Sequence, residues 1–401
     1  MFSTLALKYC HQILYDPKFL IRKEFKFKKL PIIVRMLIIQ LMDPAERFAL
    51  SLTSKRMEIE VKLIKKHSYY FQLSYIKNRF SRKLFLIRLN GESGFEICCN
   101  SFGYKRRRGG YHWLQYRKGT LIRNTAIAIN KMSNIFNMDG LGIRFTGKTP
   151  SLVFVNKLFS NDAFKSSWNK ITLDGIEFNS EIVNFFLNMA DPFKEFQICH
   201  SDMPLDFKHK NAFKFGSNDY GDARWVTLND ILKIRYVENV TFARTTLTSN
   251  HVRHFISYWI NCPDDMFSYM SIIAMETIQL GGLFNELIVL EYHDSPRSMI
   301  YFTLAKSTTR DFKLLFIYHE ANYVVLTARE PSEIVKYGNL VKEFKNVYEI
   351  MELLEKKKTL EKEFEETTDA TKWRELSNRI QESKRRIHEL GVVYLDGRAT
   401  I

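Results

Sequence analysis

Two stretches of this chain repeat one another 69 residues apart, and that repetition constrains the fold more than any other feature. Ile171-Thr172-Leu173, Phe178-Asn179-Ser180, Val183 and Phe186-Leu187 line up with Val240-Thr241-Phe242, Leu247-Thr248-Ser249, Val252 and Phe255-Ile256. Each copy reads as a strand, a polar turn, a capping residue and an amphipathic helix. A further strand, Phe196 to Cys199, follows the first copy. Such units cannot bury their apolar faces singly, so they stack, with parallel strands forming one wall and helices the other.

The spacing therefore predicts a curved, irregular series of βα units that resembles leucine-rich repeats, with the two copies as neighbours. Short strands are expected before it at Leu84 to Leu89, Phe95 to Cys99, Trp113 to Tyr116 and Leu152 to Val155. Others should follow at Leu287 to Tyr292, Met299 to Leu304, Leu314 to Tyr318 and Tyr323 to Leu326, closing the domain as hairpins. Ahead of the strands, Val34, Leu37, Ile38 and Leu41 recur at helical spacing after Leu30-Pro31. Asp43-Pro44 breaks that helix, a second starts at Ala45, and Ser54 caps a third over Lys55 to Lys66. Three such short helices bury too little to be stable alone. At the other end, Leu340, Phe344, Val347, Met351 and Leu354 mark one helix face. Trp373, Leu376, Ile380, Ile387 and Leu390 mark a second, with Gly391 as its stop, so an antiparallel hairpin is expected. The fold class expected is α+β.

Composition narrows the functional classes. With 45% hydrophobic and 14% aromatic residues, and only 17 Gly and 9 Pro in 401 residues, there is material for packed cores and no case for low complexity. Five Cys, two of them adjacent at Cys98 and Cys99, suit a reducing compartment, cytoplasmic and/or nuclear. No apolar run reaches the roughly 18 to 20 residues of a membrane span, and Lys8 and His11 interrupt the apolar patch at the N-terminus, so neither a membrane helix nor a signal peptide is expected. The formal charge of +16 is concentrated: residues 1–125 hold 26 Lys+Arg against 8 Asp+Glu, whereas residues 342–390 hold 12 of each. The densest run, Lys105-Arg106-Arg107-Arg108, precedes Tyr111, Trp113 and Tyr116, a combination suited to single-stranded nucleic acid. Four-residue basic runs are common, and an exposed loop tip is the preferred reading.

Gly142-Ile143-Arg144-Phe145-Thr146-Gly147-Lys148-Thr149 satisfies the phosphate-loop pattern GxxxxGK[ST]. Such a loop must follow a buried strand and open a helix, whereas here a polar segment precedes it and a strand is expected after it. A structural turn is therefore preferred. His251 and His254, and Cys199-His200 with His209, lack the further ligands of a metal site, and no nucleophile, base and orienter can be named together. No cofactor, metal or catalytic residue is expected.

Phe27-Lys28-Lys29-Leu30-Pro31, Leu37-Ile38, Leu41-Met42-Asp43-Pro44 and Phe48-Ala49-Leu50-Ser51-Leu52-Thr53-Ser54-Lys55-Arg56 together resemble an F-box. The Leu-Pro start and the Leu-Ser-Leu-x-Ser-Lys-Arg ending are similar to those of F-box proteins that carry a type-2 F-box-associated domain. Trp225 to Leu232, Leu247 to Asn250 and Phe255 to Ile260 resemble that associated domain. The two likenesses touch about a third of the chain; the C-terminal hairpin and the basic load fall outside them.

The resemblance implies a non-catalytic substrate receptor of a cullin-RING (Skp-cullin-F-box) ubiquitin ligase. Its F-box would bind the Skp adaptor, and through it cullin, while the associated domain captures a protein target. It implies an N-terminal tail over 1–24, an F-box over 25–70, a target-binding domain over 71–335 and a helical hairpin and tail over 336–401. Carried over as adaptor contacts are Leu30, Pro31, Val34, Leu37, Ile38, Leu41, Phe48 and Leu52, with Asp43 and Pro44 shaping the junction. Arg35, Arg47, Lys55 and Arg56 would complement an acidic adaptor. Exposed positions near the repeat strands, Thr172, Asp174, Thr241 and Arg244, are the expected target contacts. The rival readings are a basic nucleic-acid-binding protein and a nucleotide-dependent enzyme.

Overall fold

The computed structural model describes residues 27–64, 68–77, 83–90, 95–101, 103–106, 119–281, 287–295, 298–332, 335–336, 343–344, 346–395 and 397–401. It is a mixed α+β structure. A single 3-10 turn, Phe27–Lys29, leads into three short helices, α1 (Ile32–Leu41), α2 (Pro44–Ser51) and α3 (Lys55–Lys62). Strands β1 (Ser68–Lys77), β2 (Lys83–Leu89), β3 (Glu96–Asn100) and β4 (Gly103–Arg106) follow, then helix α4 (Leu121–Ile135) and strand β5 (Asn137–Gly147). Helices α5 (Leu152–Phe159) and α6 (Asp162–Lys165) precede β6 (Trp168–Asp174), α7 (Ser180–Leu187), β7 (Glu195–Cys199) and β8 (Ser217–Tyr220). Next come α8 (Leu228–Ile231), β9 (Val237–Thr245), α9 (Ser249–Asn261) and β10 (Phe267–Ala274). Strands β11 (Leu290–Ser295), β12 (Ser298–Leu304), β13 (Leu314–Glu320) and β14 (Tyr323–Arg329) complete the central part. The chain ends in the small pair β15 (Val335–Lys336) and β16 (Glu343–Phe344), helices α10 (Val347–Glu366) and α11 (Ala370–Glu389), and strands β17 (Val393–Leu395) and β18 (Arg398–Thr400).

All strands but β15 and β16 join one sheet, in the order β17-β18-β11-β12-β13-β14-β10-β9-β8-β7-β6-β5-β1-β2-β3-β4. From β1 through β5 to β10 the neighbours run parallel, because a helix or a long loop carries the chain back between successive strands. The flanks, β2 to β4 on one side and β11 to β14 on the other, are antiparallel meanders.

Alternation along each strand gives the sheet two unlike faces. On one, the cross-strand row Leu73, Ile143, Ile171, Phe196, Asn218, Val240, Met270, Leu326 is buried beneath side chains such as Ile129, Val155, Phe186, Phe255 and Trp259 of the helices. Phe48 of α2 and Val61 of α3 belong to this same core. On the other face, the row Ser74, Arg144, Thr172, Gln197, Asp219, Thr241, Ser271 is polar and then turns apolar at Val325, Tyr318 and Ile300. Val347, Ile350, Met351 and Leu354 of α10 and Ile387 of α11 cover that apolar part in a second core. Helices α10 and α11 lie antiparallel, since Glu349 near the start of one bonds Arg386 near the end of the other at 2.8 Å.

Several expectations are corrected. Leu152 to Val155 is not a strand but opens helix α5, because Ser151 accepts a hydrogen bond from the Phe154 N–H and Val155, Leu158 and Phe159 share one buried face. The segment Asn134 to Gly140, read as polar, is the end of helix α4 and the start of strand β5, and the strand runs on through the motif to Gly147. The two copies, 69 residues apart, are β6–α7 and β9–α9; they are not neighbours, for β7 and β8 lie between them. Phe344 belongs to a two-residue strand, and the first hairpin helix starts at Val347. The third N-terminal helix ends at Lys62, and Lys65, Lys66, Trp113 to Tyr116 and Leu340 lie outside the described residues.

Candidate interaction surfaces

The N-terminal helices present the first candidate surface. Helix α1, IIVRMLIIQL, is apolar almost all round, so burying one side leaves another uncovered. Arg35 and Ile39 face inward. Ile33, Leu37 and Leu41, four residues apart, form an outward row, and Ile32, Val34, and Ile59 and Leu63 of the α3 segment are exposed as well; the exposed fraction runs from 39% at Val34 to 72% at Ile33. Single exposed apolar residues are ordinary, but seven on α1, α3 and the residue that ends α3 make this a candidate interaction surface.

What holds α1 to α3 is charged. Arg35 donates bidentately to Glu60, Nε to Oε2 at 2.8 Å and Nη2 to Oε1 at 2.7 Å, and Arg35 Nη1 donates to the Leu30 carbonyl. Arg56 Nε adds a third donor to Glu60 at 3.1 Å. The Arg35 hydrogen bonds hold the Glu60 carboxyl below its ordinary range, against the opposing effect of burial. Between α1 and α2, Asp43 and Glu46 cap each other: Asp43 Oδ1 accepts from the Glu46 N–H at 2.7 Å and Glu46 Oε2 from the Asp43 N–H at 3.0 Å, with Pro44 at the first helical position.

These contacts sort the ten residues expected at an adaptor interface. Pro31, Val34, Leu37 and Leu41 are exposed, Leu30, Ile38 and Leu52 are half-buried, and Asp43 is exposed in its capping box. Pro44 and Phe48 are buried inside the protein, Phe48 edge-on to Phe95 with ring centroids 6.0 Å apart. Arg35, expected to meet an acidic partner, is instead enclosed with Glu60, and Arg47 Nε donates to the Met42 carbonyl. Ile32, Ile33, Ile59 and Leu63 were not anticipated, although the i,i+4 rows Ile33-Leu37-Leu41 and Ile59-Leu63 stand in the sequence.

The second surface is the polar half of the sheet's other face, where Arg144 is exposed and Gln197, Asp219 and Thr241 are half-buried between the buried Ser74, Thr172 and Ser271. Lys170 Nζ bonds Glu195 at 2.8 Å, Thr172 Oγ1 donates to Gln197 at 3.4 Å, and Gln197 Nε2 donates to Asp219 at 2.6 Å, so each polar side chain reaches its neighbour across the strands. Burial raises the Asp219 carboxyl above its ordinary value, opposed by the Gln197 bond and the Lys170 charge. At the C-terminal ends of the strands, Arg144 Nη2 bonds Asp174 Oδ2 at 2.6 Å and His200 Nδ1 lies 2.8 Å from Asp174 Oδ1. Burial would raise Asp174, but His200 and Arg144 hold it below the carboxylate range. Arg244 Nη1 reaches Asp202 at 2.8 Å, and Arg224 pairs with both Asp202 and Asp222. His200, just past the end of β7, and Arg244, inside β9 where its pairing with β10 shifts register, both adopt positive φ, 50° and 52°.

Of the four expected target contacts, Thr241 is half-exposed in the polar row, Asp174 and Arg244 lie on the charged rim, and Thr172 is not the exposed position expected, being only 6% accessible. The helical pair α10–α11 stands on this same face, over its apolar part. Gln197, Lys170 and Glu195 were missed because β7 was recognised without its register.

In the phosphate-loop-like motif, Gly142 to Gly147 lie in β5, paired to β1 on one side and β6 on the other, so their amides serve the sheet ladder. A helix does follow the motif, contrary to expectation, but only Lys148 to Ser151 form the turn before it, and Thr149 Oγ1 donates to the Glu177 carbonyl. His251 caps α9: its Nδ1 accepts from the Thr248 N–H at 3.2 Å. Among the described residues there is no group of three or more His, Cys, Asp or Glu able to hold a metal ion, and no helix long and apolar enough to cross a membrane. Lys105 and Arg106 lie in β4, while residues 107–118 are outside the described part. Comparison with family models, with characterised proteins and with solved structures finds no match to this chain.

Proposed function

We propose that the chain is a substrate receptor of a Skp-cullin-F-box ubiquitin ligase, in which the N-terminal helices bind the Skp adaptor and the remainder holds a protein target. The observation that carries the reading is the uncovered apolar surface on α1 and the α3 segment, which coincides with the stretch that resembles an F-box. A surface of that kind needs a protein partner, and the Arg35–Glu60 pair beneath it fixes the two helices before a partner arrives, so little ordering remains at binding. The polar rows and charged rim of the half-open sheet offer hydrogen bonds and paired charges at fixed spacing, which favours selective recognition of a target over tight non-specific adhesion. In this reading ubiquitin transfer is the work of other subunits, and the protein acts in the cytoplasm or nucleus.

The test is direct binding of purified Skp adaptor. Leu37 and Leu41 keep 55% and 66% of their surface available. Complete burial of a leucine contributes about 1.5 to 3 kcal/mol, so losing both contacts should weaken binding by about 2 to 4 kcal/mol, at least roughly thirtyfold. Equal affinity of the intact protein and the Leu37→Ala/Leu41→Ala variant would refute the assignment.

A further inference from the structure

A cavity of about 450 Å³ opens where the loop between β7 and β8 meets Trp225, helix α8 and the turn that follows it. Four lysines line it, Lys208, Lys210, Lys214 and Lys233, against the single acidic residue Asp230. That carboxylate is already engaged: its Oδ2 accepts from Lys208 at 2.8 Å and from the Thr227 hydroxyl at 2.6 Å. Lys210, Lys214 and Lys233 form no ion pair among the described residues. With Lys208 balanced by Asp230, the other three like charges around the cavity repel one another unless a further anion joins them. Phe213 and Trp225 give the cavity an aromatic side, stacked with centroids 5.7 Å apart and planes 8° from parallel. Trp225 is buried, and its indole N–H has no acceptor, which leaves a buried donor unsatisfied in the wall of a cavity whose one carboxylate, Asp230, is already engaged.

We propose that this cavity binds a small phosphorylated ligand, its phosphoryl oxygens among the lysines and its apolar part against Phe213 and Trp225. Lysines without arginine recognise an anion as point charges, which suits the several oxygens of a phosphoryl group better than the planar fork of a carboxylate. The volume lies in the range of small-molecule sites. The positive surroundings already act on one neighbour: burial, and then the Lys210 charge, push His209 below its ordinary imidazole value. The site is independent of the receptor reading, since none of its residues lies on either surface used there.

Titration calorimetry on the full chain, with pyrophosphate, phenyl phosphate and inorganic phosphate as probes, tests the proposal. One-to-one binding is expected, with phenyl phosphate at least about fivefold tighter than phosphate because of the aromatic side, and the Lys210→Gln/Lys233→Gln variant at least about tenfold weaker for each. All four lysines are exposed residues, so the variant should fold, and unchanged thermal unfolding checks that it does. A control pair on exposed lysines elsewhere, Lys157→Gln/Lys165→Gln, should bind as the parent does. Absence of binding at millimolar probe, equal weakening by the control pair, or binding of a single-stranded oligonucleotide but none of the three probes would overturn it.

Discussion

Phe48 and Leu41 stand seven residues apart in the same helical trio and should respond oppositely to truncation, which tests the separation of core from surface on which the receptor reading depends. Phe48 is 4% exposed, shares the main core with Val61, and meets the edge of Phe95. Removing a buried phenylalanine side chain costs about 3 to 5 kcal/mol, through lost transfer energy and the cavity left behind. Leu41 is 66% exposed, so Leu41→Ala removes little buried surface and should change stability by less than about 0.5 kcal/mol. Urea unfolding followed by circular dichroism measures both in one assay. Phe48→Ala should lower the midpoint sharply at unchanged slope, because the residue is lost from a cooperative core. Leu41→Ala should leave the curve in place. Comparable destabilisation by the two variants would mean that Leu41 is covered by the protein's own chain, and the surface argument would fail. Unchanged stability of Phe48→Ala would mean that the trio does not share the main core.

Two further outcomes follow. Asp222 is 1% exposed and accepts from the Met203 N–H at 2.9 Å and Arg224 Nη2 at 2.7 Å; burial would raise its carboxyl, but these bonds hold it below the ordinary value. A depressed folded value means that its stabilisation is complete above the unfolded pKa near about 4 and is lost as pH falls below it, so the Asp222→Asn variant should show a flatter loss of stability from about pH 5 to 3 and a deficit of about 1 to 3 kcal/mol at pH 7; parallel pH curves would contradict this. On the open sheet, Gln197→Ala, Thr241→Ala and Arg244→Ala should each reduce recovery of the target while adaptor binding and thermal unfolding stay unchanged, and dependence on exposed positions of α10 and α11 alone would make the helical pair the receptor instead.

The legible parts of the fold were those where local signals and tertiary structure agree. Asp43-Pro44 and Ser54 punctuate the N-terminal helices because each cap is made by the residue itself. Strands β6 and β9 were readable from their apolar runs and the capped helices that follow. Strand β8, Ser-Asn-Asp-Tyr, was not, since its residues favour turns; it is a strand because β7 and β9 pair with it on both sides, and Asn218 sits in the apolar row with its amide donating to the Phe215 carbonyl at 2.8 Å. Helix α4 escaped notice because its buried face includes Asn124 and Thr125, which read as polar. The apolar content of α1 was plain, but which side faces out was not. That is decided by Arg35, whose burial depends on Glu60, 25 residues away. The continuity of one sheet face from polar rows to a helix-covered core likewise depends on register, which no local pattern carries.

Affinity purification with quantitative mass spectrometry, comparing the intact chain with an Ile33→Asp/Leu37→Asp variant, tests the central claim most directly. Both side chains are exposed, so the variant should fold, while carboxylates placed in an apolar interface oppose docking. The receptor account predicts that Skp adaptor and cullin copurify with the intact chain and fall together by at least about tenfold with the variant, whereas target proteins remain bound. Equal recovery of adaptor and cullin with both chains, or their absence from the intact one, would contradict it.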